Sequence, residues 1–150
     1  MPLAIDLRLE TPDTRPSLRR WLPTRLGGLA TLAGVRRGRL SITVVNDAAM
    51  TRLHARYKRS RTTTDVLTFD LRQNPGDPIE GDLVLCRDQA ARQAKQRGHT
   101  IRQELLLYAL HGLLHLQGYD DLTPARFRQM HRREDELLAK AGLKPLFQTP

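Results

Sequence analysis

The chain has 150 residues, 25 Lys and Arg against 16 Asp and Glu, and a formal net charge of +9. This length suits one α+β domain over residues 1–150 whose core needs no staples, and with Cys86 as the only cysteine an internal disulfide is excluded. The longest apolar run, about a dozen residues, falls short of the ~20 that a membrane span requires, and the positive charge favours a polyanion, nucleic acid above all, as partner.

The first ten residues alternate charge with aliphatics and lack the pattern of a secretory signal, so a cytoplasmic location is expected. Leu3, Ile5, Leu7 and Leu9 alternate with polar or small neighbours, predicting a first strand. Helical spacing follows at Leu18, Trp21 and Leu22, but Pro23 and Gly27-Gly28 predict that this helix is short or broken. Leu40, Ile42 and Val44 mark a second strand. Asn46 or Asp47 caps the next helix, which carries Ala49, Met50, Leu53 and Tyr57 on one side.

Arg52, Arg56, Lys58, Arg59 and Arg61 then crowd into ten residues, and Arg56, Arg59 and Arg61 are expected to touch phosphate; a solvated basic face is the alternative. Strands are predicted over 65–71 and 81–86. The short loop between them, holding Pro75-Gly76-Asp77-Pro78, calls for antiparallel pairing and hence a mixed four-stranded sheet. Three helices complete the chain, over about 87–97, 101–117 and 124–140. They are punctuated by Gly98, a Thr100/Gln103 capping box, Thr123 before Pro124, and Gly142. The expected architecture is one mixed sheet packed with about five helices.

The middle of these three helices is apolar nearly all round, yet it contains His111 and His115. A four-residue step returns to nearly the same helix face, so both rings can converge on one ion. Burying two imidazoles without partners is costly, whereas a shared cation satisfies both. Gly118, just past the helical periodicity, can take a left-handed conformation that turns Asp120 and Asp121 towards the site. Two imidazoles and one carboxylate leave a position open to solvent, the hydrolytic rather than the closed structural arrangement.

His111-Gly112-Leu113-Leu114-His115-Leu116-Gln117-Gly118-Tyr119-Asp120-Asp121 resembles the signature H-G-x-L-H-L-x-G-Y-D-H of the YbeY-like metal-dependent endoribonucleases. Thr64-Asp65-Val66-Leu67-Thr68-Phe69 is similar to that family's T-D-V-L-S-F, and Gly81-Asp82-Leu83-Val84 to its G-D-I-x strand. The resemblance spans about residues 40 to 140. It departs at Asp121, where the family has a third histidine, and at Tyr57-Lys58, where it has Y-R.

The resemblance implies a metal set of His111, His115 and Asp121, and an activity of single-strand-directed RNA cleavage in ribosomal RNA maturation and ribosome quality control. Zinc is the first choice of metal, with manganese, nickel or cobalt open; an aspartate in place of a neutral imidazole lowers the site's charge by one unit. Lys58 is the expected catalytic cation, neutralising phosphoryl oxygens. Glu104 matches a family glutamate and lies two turns before His111 on the same face. It is expected either to orient a ligand from behind or to face solvent or an arginine. A non-catalytic RNA- or ribosome-associated protein, its metal site structural or lost, is the alternative. A zinc peptidase ranks lower, because Gly112 stands where H-E-x-x-H requires glutamate.

Overall fold

In a computed structural model describing residues 3–58 and 65–143, the elements run β1 (Ala4–Leu9), α1 (Leu18–Leu32), β2 (Gly38–Val45), α2 (Asp47–Lys58), β3 (Val66–Asp70), β4 (Ile79–Cys86), α3 (Arg87–Arg97), α4 (Ile101–Leu116) and α5 (Pro124–Lys140). The sheet order is β1-β2-β4-β3. β1 and β4 both pair with β2 in parallel, while β3 and β4 form the antiparallel pair that their short connection requires. The described residues are thus α+β, with a mixed four-stranded sheet and five helices, as the periodicities predict.

Successive side chains of a strand point to opposite faces of the sheet, and here one face carries the main core while the other is covered in part, with Ala4, Asp6 and Arg8 of β1 exposed. Leu40, Ile42 and Val44 of β2 and Leu83 and Leu85 of β4 join the main core with α1, α4 and α5. Val45, Met50, Leu67 and Cys86 form a smaller cluster with Ala49 and Leu53 of α2. Asn46 caps α2, its side-chain oxygen accepting from the Ala49 amide at 2.9 Å. Burial pushes the Cys86 thiol up to about 11, so it is a packing residue rather than a nucleophile.

The first helix corrects the sequence reading. α1 is one continuous helix of 15 residues with Pro23 inside it. An interior proline costs about 3 kcal/mol and each glycine about 1 kcal/mol. Leu18, Leu22, Leu26 and Leu29 are all buried on one stripe, and burying four leucines, at about 1.5–3 kcal/mol each, outweighs that cost. Tertiary packing overrides local propensity here.

α4 is seated on the sheet by two notches. A Cβ at Gly112 of α4 would lie 2.6 Å from Leu83 Cδ2, and one at Gly81 of β4 would lie 2.7 Å from Leu116 Cδ1. Each glycine therefore receives a leucine from the opposite element, which fixes the height and rotation of α4 over β4. The capping box predicted at its start is present, with Thr100 accepting from the Gln103 amide and the Gln103 side chain accepting from the Thr100 amide. Thr123 likewise caps α5 by accepting from the Arg126 amide.

Candidate metal centre

α4 ends in a Schellman motif. The Gly118 amide donates to the His115 carbonyl at 3.0 Å and the Tyr119 amide to the Leu114 carbonyl at 3.0 Å, with Gly118 at φ 104°. This turn reverses the chain immediately after the second histidine. Asp120 is then occupied, accepting from the Leu122 amide and pairing with Arg126 at 3.2 Å. Asp121 instead returns to the histidines.

His111 and His115 face one another through their Nε2 atoms at 3.1 Å, and Asp121 Oδ2 lies 3.9 Å from His111 Nε2. One donor atom from each of the three residues falls within 4.8 Å of the others. A tetrahedral ion with ~2.05 Å bonds has donors about 3.3 Å apart, so these residues fit a divalent cation with only a small movement of Asp121. Two lone pairs directed at each other across 3.1 Å repel unless a proton or a cation lies between them, and a shared ion would satisfy both.

The second nitrogen of His111 is committed. Its Nδ1 is 2.8 Å from Glu134 Oε1, and Glu134 Oε2 is 2.8 Å from Nδ1 of His131. A carboxylate only accepts, so both rings donate their Nδ1 protons to it, which leaves His111 Nε2 as the available donor atom in the neutral ring. Burial opposes charge on His111, but the hydrogen bond and charge of Glu134 outweigh it and raise its pKa. Burial and the neighbouring His111 lower that of His115. Burial would raise Glu134, yet the bonds from His111 and His131 hold it below the usual carboxylate range.

Two cavities meet at this cluster. One, of about 340 Å³, is walled by Val66, Thr68, Asp70, His115 and Leu116. The other, of about 220 Å³, runs between α3, α4 and α5, past Gln93, Tyr108 and His131. Asp65, His111 and Asp121 line both.

The model of the family described as Endoribonuclease YbeY matches residues 10–142. The chain belongs to this family. A relative from Anaeromyxobacter sp. (strain Fw109-5), named Endoribonuclease YbeY, is 39% identical over 142 residues, covering 94% of this chain and 73% of the relative. One of the same name from Thermobifida fusca (strain YX) is 41% identical over 108 residues, covering 67% and 70%. The solution structure of a Thermotoga maritima protein shares the fold, with a TM-score of 0.61 and 21% identity over 97% of this chain and 96% of that one.

Within this family member the structure brings His111, His115 and Asp121 together. Arg56 stands over the Tyr57 ring at 5.3 Å, and is not among the described residues lining either cavity. Lys58 ends α2, but its side chain, like the whole of Arg59 and Arg61, lies outside the described residues. Glu104 does not orient a ligand: it is fully buried, pairing with Arg97 at 3.2 Å and His99 at 2.8 Å. Of its two expected roles, the arginine partner is the one realised.

Glu134, 23 residues beyond His111, was not anticipated as the group that orients it. A signal for it exists in the buried stripe of α5, which places a glutamate among Met130, Leu137 and Leu138. A charge at a core position of an amphipathic helix requires partners. The close seating of Gly112 on Leu83 also leaves no room for the glutamate that a metallopeptidase carries at that position.

Proposed function

We propose that this chain is a single-domain, metal-dependent endoribonuclease that cuts single-stranded RNA in the cytoplasm, during ribosomal RNA maturation and ribosome quality control. His111, His115 and Asp121 hold one ion, zinc in the first instance. The observation that carries this reading is the convergence of these three donors, with Glu134 fixing His111 from behind, in a family whose relatives are named endoribonucleases. A divalent ion bound there supplies Lewis-acid chemistry that makes water a nucleophile near neutral pH.

The chain's own residues do the rest. Glu134 keeps the Nδ1 proton of His111 and so the direction of its Nε2. Lys58 neutralises the charge that builds on the phosphoryl oxygens, while Arg56, Arg59 and Arg61 hold the strand by its phosphates without reading sequence. Asp121 brings a negative charge to the position where a neutral imidazole is usual in the family, which offsets one charge of the ion.

Metal analysis and cleavage of a single-stranded RNA test this reading together. His115→Ala and Asp121→Ala are expected to lose both metal and cleavage, while Asp121→His keeps both. Undiminished cleavage by His115→Ala after chelation would overturn it.

A further inference from the structure

We infer that the 220 Å³ cavity between α3, α4 and α5 is a nucleobase subsite, taking one unstacked base of a nucleotide that flanks the cut bond. The inference rests on the nuclease reading and deepens it. Asp65, His111 and Asp121 form the wall this cavity shares with the larger trough. A base seated in the smaller space therefore puts its own phosphate beside the three metal-binding donors.

The walls suit a flat heterocycle. The His131 ring lies 5.9 Å from that of His111 with 22° between their planes, and Phe127 meets His131 edge-on at 4.2 Å. Those two histidines are held together by Glu134, and Phe127, 36% exposed, with Leu107 gives the wall its aromatic and apolar surface, of the kind against which single-stranded bases stack.

Polar groups are ready for the edge of that ring. Gln93 offers both a donor and an acceptor, and Arg97 is anchored by the buried Glu104. The Tyr108 hydroxyl is buried without a hydrogen-bond partner among the described residues, in a residue only 3% exposed. An unpartnered buried hydroxyl is costly, and the edge of a bound base supplies what it lacks.

Size then sets the selectivity. The cavity is smaller than the ~300 Å³ at which pockets for drug-sized ligands begin, so it admits one ring system and no base pair. A base must leave its stack to enter, which is least costly in a single strand.

The test uses a single-stranded hexaribonucleotide and versions carrying one abasic ribose at each position in turn. Equilibrium binding is measured on the His115→Ala protein, which is expected neither to hold the metal nor to cut, and cleavage on the zinc-loaded wild type. One abasic position beside the cut bond should weaken binding by roughly 5- to 150-fold and raise KM. Tyr108→Phe and Gln93→Ala, each placed in the His115→Ala background, should bind the intact and abasic oligomers alike. Tyr108→Phe gives up no hydrogen bond among the described residues and should melt no lower than the wild type, which separates recognition from folding. A flat abasic scan with the intact oligomer still cleaved overturns the subsite and leaves the nuclease standing. No cleavage of the intact oligomer by the zinc-loaded wild type overturns both.

Discussion

Glu104 on α4 and Glu134 on α5 are both fully buried carboxylates, and each is held by two nitrogen-bearing side chains. Glu104 takes Arg97 and His99 and so ties the end of α3 to the start of α4. Glu134 takes His111 and His131 and ties α5 to the middle of α4, at a ring whose other nitrogen faces His115 and Asp121. Seven residues of helix return Glu104 to the face of His111 but leave it about 10.5 Å away along the axis. Sharing a helix face is not contact, and the carboxylate that reaches His111 comes from a different helix.

The sharpest break in this comparison concerns stability. Glu104→Ala should lower unfolding free energy in urea by about 2–3 kcal/mol, because two charge-assisted bonds are lost at a buried site. The figure stays moderate since Arg97, one-third exposed, regains water. Glu134→Gln keeps an acceptor but loses the charge. By competition with a chromophoric chelator it should bind zinc 10- to 100-fold more weakly, whereas Glu104→Gln should leave zinc affinity unchanged. If both glutamines weaken zinc equally, the division of roles between the two glutamates is wrong.

Gly112→Ala acts on α4 as a whole. Its Cβ would press on Leu83, so about 1–2 kcal/mol of stability should be lost to overpacking. The smallest effect is in pH. In metal-free protein, the contribution of Glu134 is full above its ordinary value of 4.5 and is lost as pH falls through its lower folded value. That of His111 is full below 6.5 and is lost as pH rises through its higher folded value. The gap in melting temperature between wild type and Glu134→Gln should therefore be widest between pH 4.5 and 6.5 and narrow on both sides.

Much of this was legible because it is local. The helix caps at Thr100 and Thr123, the left-handed turn at Gly118 and the i, i+4 histidines each depend on a few neighbouring residues, and the structure has them where the spacing puts them. The continuity of α1 is not legible locally, because its decisive term, the burial of four leucines against the rest of the core, is tertiary and outweighs a local proline. Glu134 and His131 escaped for the same reason. Their i, i+3 spacing on α5 was visible, but nothing in sequence distance shows that α5 folds back over His111. Asp65 sat in plain view within the Thr64–Phe69 motif, and only the meeting of two cavities gives it a place at the site.

The function proposed for this chain depends on His111, His115 and Asp121 holding one ion, with Glu134 setting the geometry. X-ray absorption at the zinc edge of the loaded protein tests it most directly. The account predicts one zinc per chain, with two imidazole nitrogens and at least one oxygen at ~2.0–2.1 Å, and the loss of one imidazole from that shell in His115→Ala. A shell that contains no pair of imidazoles, or one that His115→Ala leaves unchanged, would contradict it.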